Sequence, residues 1–154
     1  MVQEIANQAN RNSDIMKYLI LFLTLIGTAF ALHTDEEIIA TTLILEAGGE
    51  YSLGAMEAVH EVIHNRSIKR KKSKAEVCLQ KWQFSCWNGK AINSNIAKAR
   101  MHPRWSKAMK IVTSRYITNY TNGADHYHAD YITTPYWASS MKKTTKIGKH
   151  IFYK

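Results

Sequence analysis

Acidic residues are scarce in this chain: 12 Asp and Glu stand against 21 Lys and Arg in 154 residues, a formal charge of +9. A protein so unbalanced seeks polyanions, whether nucleic acid, anionic lipid or the charged polymers of a bacterial envelope. Cysteine is nearly absent. Cys78 and Cys86 have no C-x-x-C spacing, and a lone pair lacks half the ligands of a structural zinc site. Internal repeats are missing, which excludes a solenoid and any separate wall-binding repeat. Long apolar runs are missing as well, with one exception near the N-terminus. That run is about 15 residues, roughly 22 Å as a helix against a hydrocarbon core of roughly 30 Å, so a permanent membrane span is the weaker reading. What is plentiful is apolar material, 45% of residues, enough for a real core and too much for a disordered chain.

The apolar run has a recognisable context. Met16-Lys17 precedes Tyr18 to Ile26, and Ala29-Phe30-Ala31 follows as a small-x-small cleavage pattern. These features read as a secretory signal peptide over residues 16–31, with an uncleaved signal anchor as the alternative. Residues 1–15, polar and rich in Asn and Gln, form an extension with no fold of their own, and 32–154 form one folded domain. Export places the protein in the periplasm, wall or medium, and removes it from an intracellular nucleic-acid partner. Cys78 and Cys86, eight residues apart, either close a small disulfide outside the cytoplasm or remain two independent buried thiols.

The stretch Ile38 to Arg66 is where the chemistry concentrates. Thr34-Asp35-Glu36-Glu37 is a capping box that starts a helix, and Ile38, Ile39, Thr42, Leu43 and Leu45 give that helix a wide apolar face. It ends at the Gly48-Gly49 break with Glu46 in its last turn. Apolar neighbours penalise a carboxylate, and a helix C-terminus is the negative end of the macrodipole, so both favour the protonated acid. A carboxylic acid that keeps its proton is what protonation of a glycosidic oxygen needs.

A second helix is predicted from Gly54 to Arg66. It carries His60-Glu61-Val62-Ile63-His64, formally H-E-x-x-H, for which His126 or His128 could supply the third ligand of a zinc hydrolase. The run Lys69 to Lys74 reads as a solvated turn that can also dock anionic wall polymers or lipid headgroups. Ser73 to Glu76 repeats the capping-box spacing and starts a short helix ending near Gln80. In Trp82 to Trp87, aromatic rings with amide and hydroxyl groups between them suit a sugar polymer, and one of Trp82, Phe84 and Trp87 belongs to the core. A short helix over Asn93–Met101 follows, then one from Pro103 to about Thr118 that buries Trp105, Ala108, Met109 and Val112. Ala124–His128 and Ile147–Tyr153 alternate as paired strands, with Pro135–Ala138 as a loop of exposed aromatics between them. Periodicity by itself gives an α+β domain, mostly α, with a small antiparallel sheet.

Three blocks resemble the spore-cortex-lytic type of bacterial cell wall hydrolases, a family that includes germination lytic transglycosylases. They are Glu46-Ala47-Gly48-Gly49-Glu50 with Gly54, Ala58, Val59, Val62, Ile63, Asn65 and Arg66; Trp82-Gln83-Phe84-Ser85-Cys86-Trp87; and Gly123 to His128 with Lys146 to Phe152. Together they cover nearly all of residues 38–152. One departure is visible, Gly48, where the family usually has arginine. The resemblance implies a lysozyme-like fold, peptidoglycan as substrate, no cofactor, a protein acting as a monomer, and cleavage of the glycan strand as a lytic transglycosylase or muramidase with Glu46 as general acid and base. It also implies that Glu50, Gln83, Phe84, Ser85, His126 and Tyr127 bind substrate, Tyr131 joining them on the far wall. Glu50 and Asp125 are the candidates for a second carboxylate. The rival from another class is a non-enzymatic, basic envelope-binding protein, which would have no use for an acid held against an apolar helix.

Overall fold

A computed structural model describes residues 16–17, 33–52, 54–89 and 91–154. The chain divides into two units at His33/Thr34, and the second, Thr34–Lys154, is the folded domain. The polar extension and nearly all of the signal segment lie outside the described residues.

Among the described residues of this domain five α-helices precede the sheet: α1 (Asp35–Ala47), α2 (Ala55–Arg70), α3 (Lys74–Leu79), α4 (Ile92–Arg100) and α5 (Trp105–Thr113). Both capping boxes form, Thr34 with Glu37 and Ser73 with Glu76. The burial of α1 exceeds the single wide face expected of it. Ile38 to Ile44 are all buried, because α2, α3, α4 and α5 each pack against it. A helix surrounded in this way is a core helix, and of its two buried threonines Thr42 alone has partners for its hydroxyl. Thr42 donates to Ile38 O at 2.9 Å and accepts from Trp87 Nε1 at 3.0 Å. Phe84 and Trp87 both join the core, so two of the three block aromatics are interior, whereas Trp82 is 72% exposed.

Two helices end elsewhere than the sequence suggests. The helix α2 continues through Arg70 into the basic run, ending on Lys71 in the left-handed region. Lys69 and Arg70 are good helix formers and their charges suit a helix C-terminus. The helix α5 stops at Thr113, short of Thr118, because the segment beyond it turns toward Glu61 of α2. That carboxylate, 1% exposed, accepts from Thr118 Oγ1, Tyr120 N (2.7 Å), Thr121 N (2.8 Å) and Thr121 Oγ1 (2.6 Å).

The sheet has three strands in the order β1-β3-β2: β1 (His126–Ala129), β2 (Lys143–Ile147) and β3 (His150–Tyr153), all antiparallel. Pairing of β1 with β3 follows the sequence reading, with His126 opposite Tyr153. The correction is at Ile147, which ends the separate strand β2, so that Gly148-Lys149 is the turn of a hairpin. Phe152 is fully buried with Ala58, Val62 and Ala124, fixing the sheet on α2. Burial of such a ring contributes about 1.5–3 kcal/mol. Asn65 Nδ2 donates to Ala124 O (2.8 Å) and Arg66 Nε to Asp125 O (2.7 Å), so the end of α2 also holds the chain as it enters β1. A helical body with a small sheet beside it, joined where α1 ends, is the lysozyme-like layout.

Candidate active site

The end of α1 brings Glu46 to the edge of a cleft of about 490 Å³. Leu45 and Glu46 line it from α1, Gln83, Phe84 and Ser85 from the aromatic block, and Tyr127 and His128 from β1. Tyr131, exposed, and Trp137, half-buried, line it as well. Glu46 Oε2 accepts a hydrogen bond from Tyr127 Oη at 2.9 Å. From the core side the buried Cys86 thiol feels the charge of the same carboxylate. Burial, reinforced by the Glu46 charge, raises the Tyr127 phenol well above its ordinary value and raises the Cys86 thiol too. Both therefore keep their protons, and the Tyr127 phenol acts as a donor to Glu46.

Arg66 forms part of the lining, 7% exposed. Besides Asp125 O, it donates from Nη1 to Gln83 O at 3.3 Å, and its guanidinium lies 5.2 Å from the centre of the Phe84 ring. One side chain thus joins the aromatic block to the strand carrying Tyr127. Burial pushes the Arg66 pKa down, while Tyr127, Asp125 and Glu46 favour its charge. Phe84, 2% exposed, supports Arg66 from the core and offers little face to a sugar. Gln83 and Ser85 are accessible.

Two residues expected in the cleft are absent from its lining. Glu50 turns to the hairpin, where Oε2 accepts from Lys149 N at 2.8 Å and Oε1 lies 2.8 Å from His150 Nδ1, close enough for an ion pair though off the hydrogen-bond line. A Cβ at Gly148 would fall 1.9 Å from Glu50 Oε2, and Gly148 has φ +55°. The glycine is required on both counts. His126 pairs through Nδ1 with Asp125 Oδ1 at 2.6 Å and packs against Trp137. Asp125 also meets Lys69 Nζ at 2.6 Å. Burial would raise the Asp125 pKa, but Lys69 and His126 hold it below the usual carboxylate range. At the glycine turn, Arg104 donates to Gly48 O (3.2 Å) and to Glu50 O, so an arginine from the start of α5 fastens this loop.

The cysteines are free. Both are buried, Cys78 beside Thr42 and Cys86 beside Glu46, one turn apart on α1. Burial pushes the Cys78 thiol up to about 12. The H-E-x-x-H alternative fares poorly, because Glu61 is occupied by the 118–121 segment and His60 Nε2 faces Lys74 Nζ at 3.3 Å. Among the described residues no three His, Cys, Asp or Glu side chains gather as a metal would require. Arg66, Cys86, His128, Trp137 and His150 join the site without having been expected there from sequence, although Arg66, Cys86, His128 and His150 lie inside the three motif blocks.

The chain resembles the catalytic domain of the SleB protein of Bacillus cereus, at 25% identity and a TM-score of 0.53, over 78% of this chain and 89% of that one. No curated protein matches it. The cell wall hydrolase profile matches residues 49–153, beginning just after Glu46, so the case for that residue rests on the cleft itself. With a profile covering more than half its length, from the glycine turn through β3, the chain belongs to the cell wall hydrolase family.

Proposed function

We propose that this enzyme cleaves the glycan strand of peptidoglycan as a lytic transglycosylase, with Glu46 as its acid and base. The observation that carries the reading is that Glu46 is the one carboxylate lining the cleft among the described residues. Glu50 is tied to the hairpin and Asp125 to Lys69 and His126, so neither is placed as a nucleophile or as the base for water. A two-carboxylate hydrolase needs such a partner at a set distance. One acid suffices if the sugar's own 6-hydroxyl is the nucleophile. Glu46 then protonates the glycosidic oxygen and the leaving sugar departs. The carboxylate takes the proton from the 6-hydroxyl, whose oxygen closes on the anomeric carbon, and no water is consumed. Tyr127 holds the carboxylate between these steps.

Gln83 and Ser85 supply amide and hydroxyl groups for the sugar's polar substituents, and Tyr131 and Trp137 supply ring faces. We place this activity outside the cytoplasmic membrane, in residues 32–154, following export by the 16–31 segment. Among the described residues no helix is long and apolar enough to cross a membrane. The test is Glu46→Gln, which keeps shape and removes the proton. Folding should persist and turnover should fall by at least ~10²-fold. Mass spectrometry of digested peptidoglycan should show anhydro ends with the parent enzyme. Reducing ends would indicate hydrolysis, and substantial activity in folded Glu46→Gln would refute the assignment.

A further inference from the structure

A second cavity, of about 300 Å³, opens between α2, α5 and the segment after α5. It shares no lining residue with the cleft. Glu57 and His60 of α2 face Lys107, Lys110 and Ile111 of α5, and Tyr116 closes one side. Glu57, its one carboxylate, pairs with Lys107 at 3.1 Å, whereas Lys110 makes no ion pair among the described residues.

His60 is the informative residue, since it is 3% exposed yet lines this cavity. Its Nε2 lies 3.3 Å from Lys74 Nζ. An ammonium has donors only, so Nε2 accepts and the ring hydrogen falls on Nδ1. That N–H has no acceptor among the described residues. Burial, with the charges of Lys74 and His64 adding to it, lowers the ring to about 4, which leaves it neutral at neutral pH. The cavity therefore presents one neutral N–H donor and one unpaired cation beside an apolar wall, Ile111 and the Tyr116 ring, with Glu57 Oε2, buried and without a hydrogen-bond partner, as an acceptor for the peptide N–H next to such a ligand's end. Two donors match the two oxygens of a carboxylate, and the apolar wall suits the carbon attached to it better than a strongly hydrated phosphate.

We propose that this cavity binds a carboxylate on a short, mainly apolar skeleton, the free end of a small peptide, with its oxygens on His60 Nδ1 and Lys110 Nζ. The volume fits one or two amino-acid residues. In an enzyme acting on peptidoglycan, such ends belong to the peptide stems, so the site would hold a stem while the cleft works on the strand. That source rests on the proposed function; the site itself does not.

Isothermal titration of the full chain with N-acetyl-D-alanyl-D-alanine, its C-terminal amide and inorganic phosphate tests this. The acid should bind and the amide should bind about 10-fold more weakly or worse, the effect of losing one charge-assisted contact. Lys110→Gln should weaken the acid about 10-fold while cleavage of short soluble glycans is unchanged. His60→Gln should do the same, with its fold checked by melting. Lys110, at the surface, carries the test alone if that variant unfolds. Equal binding of acid and amide, no binding of the acid, phosphate binding as tightly as the acid, or unchanged affinity in Lys110→Gln would each overturn the proposal. Glu46→Gln should bind the acid normally. Loss of the glycan activity assignment with this binding intact would therefore refute the proposed function and leave the site standing.

Discussion

Glu61→Gln is expected to be among the most destabilising isosteric changes in this protein, and the reason is in the count of donors. One carboxylate oxygen of Glu61 accepts from Thr118 Oγ1 and Tyr120 N, the other from Thr121 N and Thr121 Oγ1. An amide has only one acceptor oxygen. Whichever way it turns, its NH₂ faces a backbone N–H, and although the neighbouring hydroxyl can rotate to accept, the backbone cannot. A buried donor left without an acceptor costs about 1–3 kcal/mol, and the contacts that survive lose their charge-assisted strength, about another 1 kcal/mol. The sum, about 3 kcal/mol, is a large fraction of the roughly 5–15 kcal/mol typical of a domain. For a unit of this size each kcal/mol moves the melting temperature by roughly 3–5 °C, so a fall on the order of 10 °C is expected. Calorimetry and urea unfolding measure it, with turnover of the folded variant assayed well below the melting point. A shift under ~3 °C would refute the reasoning. Turnover abolished in a variant that melts normally, together with inhibition by a chelator, would instead favour the His60, Glu61, His64 metal reading.

Gly148→Ala should destabilise by roughly 1–3 kcal/mol through its positive φ alone and further through contact with Glu50, so adding Glu50→Ala should recover part of the loss in a double-mutant cycle of melting temperatures. Acid should weaken the fold before its carboxylates titrate. Because folding holds His60 near 4, below its unfolded 6.5, its contribution is complete above pH 6.5 and lost as pH falls toward 4, by up to about 3 kcal/mol. Urea midpoints measured from about pH 7 to about pH 4.5 should fall accordingly, and fall less steeply in His60→Gln. In the basic run Lys69 is engaged by Asp125 and Arg70 donates to Gln80 at 3.1 Å, so docking to envelopes should depend on the exposed Lys71 and Lys72. Changing those two to Gln should weaken binding to whole envelopes and its salt dependence while leaving short soluble glycans cleaved normally; equal loss on both would place the run in the active site.

How much of this molecule is legible in its sequence depends on how far each signal reaches along the chain. Thr34 with Glu37 and Ser73 with Glu76 act over three residues, and both caps form as read. Glu46 can be placed at a helix end because the apolar run and the glycines lie within about ten residues of it. The errors come from partners far apart. The helix α5 loses its last turn to a carboxylate more than fifty residues earlier. Glu50, next to the cleft in sequence, is drawn out of it by a hairpin about a hundred residues later, at a glycine whose missing side chain is the only trace of that contact. Arg66 reads as one position in a motif, yet its guanidinium joins Gln83, Phe84 and Asp125, three points that no periodicity connects. Glu46 is likewise fixed in space by a partner far along the chain, the Tyr127 hydroxyl of the sheet, which donates to it at 2.9 Å. Tyr127→Phe removes that hydroxyl alone. If the bond positions the acid for its two proton transfers, turnover should fall by about 10-fold with the melting temperature little changed. Unchanged turnover in the folded variant would mean that Tyr127 only fills space beside the acid.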